Sequence, residues 1–163
     1  MKFWKLLVLL GIFSSPAFAA GKFGAGFILG EPTSLSGKYF ADDKTAYDLQ
    51  ISFLSREYIV IYGDRLWHFP DAINHTNDFN EHLNPYLGIG PVLVLNAKKD
   101  HSKGQYFDER DDKLAFGVRV PFGMEWMWDK VPIGIGLELA PGIMVLPSTT
   151  GILMGGLTLR YYF

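Results

Sequence analysis

Three groups of residues in this chain have types and spacings that could do chemistry. Asp100-His101-Ser102 sets a carboxylate, an imidazole and a hydroxyl in succession, the residue types of a nucleophile and its base. Neighbours on one flexible loop seldom line up as nucleophile, base and orienter, so catalysis is the weaker reading there. His68, His75 and His82 recur every seven residues, and a metal site would want such a cluster. His75 and His82 fall in a stretch without periodicity, so solvated loop histidines are expected and no metal. The third group is seven charges set singly among apolar runs: Lys38, Asp48, Asp64, Arg119, Glu125, Glu138 and Arg160. Neither a phosphate-cradling glycine loop nor an H-E-x-x-H pair occurs, and no cofactor is expected.

The elements that must position these charges follow from alternation. In the last twelve residues, Leu153, Leu157, Leu159, Tyr161 and Phe163 share one face with Gly155. Met154, Gly156, Thr158, Arg160 and Tyr162 take the other. A period of two over this length is a strand whose faces meet different media. The split recurs up the chain. Phe23, Ala25, Phe27 and Leu29 alternate with Gly24, Gly26, Ile28 and Gly30, and Leu35, Gly37 and Tyr39 with Ser34, Ser36 and Lys38. Tyr47, Leu49, Ile51 and Phe53 alternate with Ala46, Asp48, Gln50 and Ser52. Further strands are predicted over about 57–68, 85–97, 114–127 and 133–145, giving eight in all. In the fourth, Val60 and Tyr62 would suit either face. Pro91 withholds a ladder hydrogen bond and predicts a bulge or local break in the fifth. Residues 69–84 form a polar connection, and Lys98–Lys113, with five basic and five acidic residues, reads as a mobile hairpin loop.

A length of 163 residues bounds one domain. Residues 1–19 read as a secretory signal peptide: Lys2 and Lys5, then the apolar core Leu6 to Phe13, then Ala17-Phe18-Ala19 as a cleavage signal. Removing them takes two lysines from the 15 Lys plus Arg against 17 Asp plus Glu, leaving a domain, 20–163, of about −4. No basic stripe suits nucleic acid. The chain has no cysteine, which excludes a disulfide scaffold and a lipid-modified cysteine at the cleavage site.

The bulky apolar faces are expected to point outward, to lipid, and the glycine-and-charge faces inward. An eight-stranded interior is only just wide enough for side chains, so small residues belong there. One Lys or Arg turned to lipid at the midplane would cost about 2–4 kcal/mol. Inward, Arg119, Glu125, Glu138 and Arg160 are expected to form an ion network across the last three strands, joined by Lys38, Asp48 and Asp64. Tyr39, Trp126, Trp128, Tyr161 and Phe163 fall near strand ends, where amphipathic rings favour a membrane interface. The predicted fold is therefore all-β: a closed eight-stranded antiparallel up-and-down transmembrane β-barrel behind a cleaved signal peptide.

These alternating strands and the terminal Tyr162-Phe163 resemble the small eight-stranded outer-membrane barrels of the OmpA transmembrane-domain type. The segment from Gly24 to Phe40, GxGxxxGEPTSLSGKYF, more specifically resembles a family of such barrels with spirochaete members, which often has glycine where Ser34 stands. The resemblance implies a place in the bacterial outer membrane, contact with its lipid, and delivery by the assembly machinery that reads a C-terminal strand. In some members it also implies binding of an extracellular or host protein through surface loops. Lys98, Lys99, His101 and Arg110 are the candidate partner-binding residues, and no catalytic residue comes with the resemblance. A structural or surface-interaction role leads. A lipid A-modifying enzyme, a narrow channel and a soluble barrel around an apolar ligand are the rivals.

Overall fold

The computed structural model of the protein describes residues 21–52, 58–73, 82–96, 114–128 and 131–163. These form β1 (Phe23–Glu31), β2 (Ser34–Phe40), β3 (Thr45–Ser52), β4 (Tyr58–His68), β5 (Leu83–Asn96), β6 (Leu114–Arg119), β7 (Phe122–Met127), β8 (Ile133–Leu146) and β9 (Thr150–Tyr162). A 3-10 turn, Pro70–Ala72, follows β4. All pairings are antiparallel; β1 to β5 follow one another in sequence order, β6 and β7 each pair with both β5 and β8, β8 pairs with β9, and β1 pairs with β9 from Gly24↔Tyr162 to Glu31↔Gly155. β6 and β7 lie end to end between β5 and β8, as two halves of one stave. The fold is thus a closed barrel of eight staves, and closure leaves no sheet edge.

Alternation sets the two surfaces. Leu29, Leu49, Leu137, Leu153 and Leu159 stand on the outside, with Leu137 63% exposed, whereas Arg160 in the lumen is 1% exposed. Val60 and Tyr62, ambiguous from sequence, both turn inward. Phe23, Tyr39 and Tyr47 are register partners in a row on the outside. Tyr161, Phe163 and Trp128 continue that belt at the same end, the end that carries both the start of β1 and the end of β9.

One expectation needs correction: the sixth strand, anticipated as one run from 114 to 127, breaks at Val120 and Pro121. The local break expected at Pro91 is present in the ladder, where pairing with β4 lapses at Gly63 and Asp64 opposite Pro91 and Gly90 and then resumes in the same register, while β5 itself runs on as one strand. Pro121 and Pro141 explain the split of the sixth, since neither can donate to a ladder. Here Gly88 donates to the Pro121 carbonyl at 2.7 Å and Val120 to that of Pro141 at 2.8 Å. Pro91, Pro121 and Pro141 lie on adjacent staves, so the interruptions line up as one seam from β4 to β8. In amide hydrogen exchange on the refolded barrel, segments 62–65 and 89–92 should lose protection before 134–139 and 156–161, the β8–β9 ladder. Uniform protection around the wall would sink the seam.

Candidate functional site

The seven charges all enter the lumen and all are buried. Their pairing crosses the barrel as well as running between neighbours. Lys38 Nζ on β2 lies 2.6 Å from Glu125 Oε2 on β7, and Arg160 Nη2 on β9 lies 2.9 Å from Asp48 Oδ2 on β3. Arg160 Nη1 also reaches Glu125 Oε1 at 3.3 Å. Arg119 grips Asp64 through Nε and Nη2 and reaches Glu138 Oε1 at 3.3 Å. Three cations therefore meet four carboxylates in two ion-paired sets, Lys38–Glu125–Arg160–Asp48 and Asp64–Arg119–Glu138. Gln50 Nε2 bridges the two by donating to Asp48 and, at 3.5 Å, to Glu138 Oε1.

Neutral groups complete it. Tyr162 donates to Glu125 Oε1 at 2.7 Å, Tyr86 to Glu138 Oε2 at 2.9 Å, and Ser36 to Asp48 Oδ1 at 2.8 Å. Gln50 Nε2 donates to Asp48 Oδ2 at 2.7 Å. Tyr62 lies under the Arg119 guanidinium, 3.8 Å from Cζ to the ring centre. Every carboxylate thus meets charge-assisted donors, which a buried ion needs to offset its desolvation.

Glycines make room for these side chains. Arg160 stands opposite Gly26 and Gly134, Glu138 opposite Gly123 and Gly156, and Arg119 opposite Gly90 and Gly142. A Cβ at Gly134 would come within 2.8 Å of Glu125 Oε1 and 3.0 Å of the Tyr162 ring. Above the network, toward the end away from the termini, an apolar cluster of Val60, Val92, Val94, Ala115, Met144, Ile152 and Met154 fills the lumen. Below it sit Ala46, Leu66, Tyr86 and Phe40. The arrangement can hold charge in a fixed geometry, with packed side chains above and below.

The remaining candidates separate. His68 is buried between Phe40 and Tyr86, with ring centres 5.0 and 5.4 Å away, while His82 meets the edge of Trp126 at 6.3 Å. Among the described residues no group of three or more His, Cys, Asp or Glu is placed to hold a metal. Tyr39, Trp126, Trp128, Tyr161 and Phe163 gather at the end bearing the termini, where the Trp126 and Trp128 rings meet tilted by 59° with centres 3.9 Å apart. His75, Asp100, Ser102, the loop residues Lys98, Lys99, His101 and Arg110, and the signal segment 1–19 lie outside the described residues. Leu83 and Asn84, assigned to a loop from sequence, belong to β5. The members missed from sequence are Ser36, Gln50, Tyr62, Tyr86 and Tyr162, whose inward parity was the available signal.

Arg119→Leu, which strands Asp64 and Glu138, should destabilise the refolded barrel in urea by about 3–5 kcal/mol. The double change with Asp64→Leu should recover part of that loss. Gly134→Val should cost about 1–3 kcal/mol by displacing Glu125. Gly37→Val, outward, where a Cβ meets only Phe23 ring atoms at 3.7 Å and beyond, should stay within about 0.5 kcal/mol of the parent. Equal costs at the two glycines would refute the packing argument.

Comparison with known proteins gives two matches. A family model described as "Protein of unknown function (DUF3996)" matches residues 15–161. No curated protein matches the sequence. Among solved structures, the chain is similar to the N-terminal β-barrel domain of Pseudomonas aeruginosa OprF, with 15% identity, a TM-score of 0.55, and cover of 86% of this chain and 95% of that one. At that identity the likeness speaks for the fold.

Proposed function

The chain belongs to the DUF3996 family, and from that premise we propose that it is an integral outer-membrane barrel with a structural or surface-interaction role rather than a catalytic one. One observation carries the reading: the wall is inside-out relative to a water-soluble barrel, with Leu137 63% exposed and Arg160 1% exposed. In water, a continuous coat of leucine, isoleucine and phenylalanine would be an aggregation surface. In hydrocarbon the same coat is matched to its solvent, and the closed ladder leaves no edge there. The 14 residues of β8 and 13 of β9 exceed the 9–11 that a tilted strand needs to cross. The aromatic belt supports an interface at the end of the termini, which on this reading faces the periplasm.

On this reading residues 1–19 are the export signal, the C-terminal strand is what the assembly machinery reads, and loop 98–113 is the surface offered to an extracellular or host protein. The crossed ion pairs and the apolar cluster above them make the lumen a plug. Two measurements test the proposal. Protein folded into outer-membrane lipid vesicles should migrate differently on gels before and after boiling, and should give no steady ohmic current in planar bilayers. Leu137→Arg should reduce folding into those vesicles, by about 2–4 kcal/mol if the site lies near the midplane. A barrel that stays soluble without detergent would remove the membrane assignment, and a steady current would remove the plug.

A further inference from the structure

At the end of the barrel carrying the termini, a shallow cleft of about 490 Å³ opens between the β2–β3 turn and the exit of β4. Its walls are largely apolar, formed by Trp67, Phe69 and Ala72, with Lys44 and Asp71 at the rim and His68 beside them. The Lys44 ammonium lies 3.1 Å from Asp71 Oδ2, and both side chains are mostly exposed. An exposed pair of this kind holds weakly and exchanges readily for other partners. Arg65 adds a second cation, its guanidinium set 5.2 Å over the Trp67 ring. Asp42 is committed elsewhere, accepting the backbone N–H groups of Lys44 and Thr45 at 2.9 and 2.7 Å, which keeps its carboxyl below the usual range. Asp71 is thus the carboxylate lining the cleft.

The His68 ring turns the other way, 1% exposed in the lumen between Phe40 and Tyr86, so the cleft offers a ligand only its outward-facing groups.

We propose that this cleft is a headgroup site for a zwitterionic phospholipid, an inference that rests on the membrane reading above. The phosphate lies between Lys44 and Arg65, the ammonium displaces Lys44 from Asp71, and the glycerol region meets Trp67 and Phe69. The charge pattern selects the class: two cations alone would favour an anionic lipid, and Asp71 turns the preference toward a headgroup carrying its own positive charge. Trp67 belongs to the outward face, next to the aromatic belt, so acyl chains leave the cleft directly along the apolar wall.

The test is native mass spectrometry of the full barrel released from nanodiscs containing phosphatidylethanolamine, phosphatidylcholine and phosphatidylglycerol with identical acyl chains. The two zwitterionic lipids should be retained several-fold over phosphatidylglycerol. Asp71→Asn should erase that discrimination, Lys44→Ala with Arg65→Ala should lower retention of the zwitterionic lipids, and Asp43→Asn should change neither. Equal retention by the parent, an unchanged preference in Asp71→Asn, or the same loss in Asp43→Asn overturns the site. So does full competition by soluble phosphoethanolamine, which would show a headgroup-only ligand. Heat-modifiable gel mobility of the same sample reads the barrel itself, so failure to insert is told apart from failure to select lipid.

Discussion

The interior of an eight-stave barrel is a fixed, narrow volume, and everything else in this chain answers to that limit. A side chain as long as arginine fits only if the staves beside it withdraw their own, and Arg160 between Gly26 and Gly134 is the clearest case. Once inside, its charge has no water to turn to, so Asp48 and Glu125 must approach from two different staves. Volume and charge are therefore solved together. The glycines set where a large residue fits, and the counter-ions set which large residue can stay there.

The same limit explains the separation of the lumen into zones. Ions gather toward the middle, where Tyr162, Tyr86, Ser36 and Gln50 supply neutral donors. Valine, methionine and alanine occupy the end away from the termini. A buried pair loses its screening when water is excluded and then requires good geometry. The apolar zone excludes water from one side, which makes the crossed geometry matter more. Outside, large aliphatic groups cover the wall.

Much of this was legible in the chain because period two is unambiguous when the two faces differ in both size and charge. Tyr47, Leu49 and Ile51 against Ala46, Asp48 and Gln50 assign themselves, and the seven lumen charges follow from parity alone. What parity cannot give is distance across a barrel. Lys38 and Glu125 are far apart in sequence, and only closure brings them together, so a network inferred from neighbouring strands lacked its longest links. Tyr62 and Tyr86 do not declare a side by type, because an aromatic residue suits either face until its hydroxyl finds an acceptor. The split of one stave at Pro121 was readable, since a proline without a donor weakens a ladder wherever it falls. The alignment of Pro91 with Pro121 and Pro141 is a matter of register between three staves, which no single strand carries.

That alignment gives the barrel a grain. Hoop stiffness in a closed sheet comes from its hydrogen bonds, and one sector, between β4 and β8, has fewer of them in register than the sector from β8 round to β3. The cross-section therefore has a soft diameter and a stiff one, and sideways pressure flattens it along a direction fixed by the primary structure. The Asp64–Arg119–Glu138 set lies beneath the compliant sector and ties its flanking strands, β4 and β8, together from within. An inner strut thus takes up load that the wall itself cannot bear.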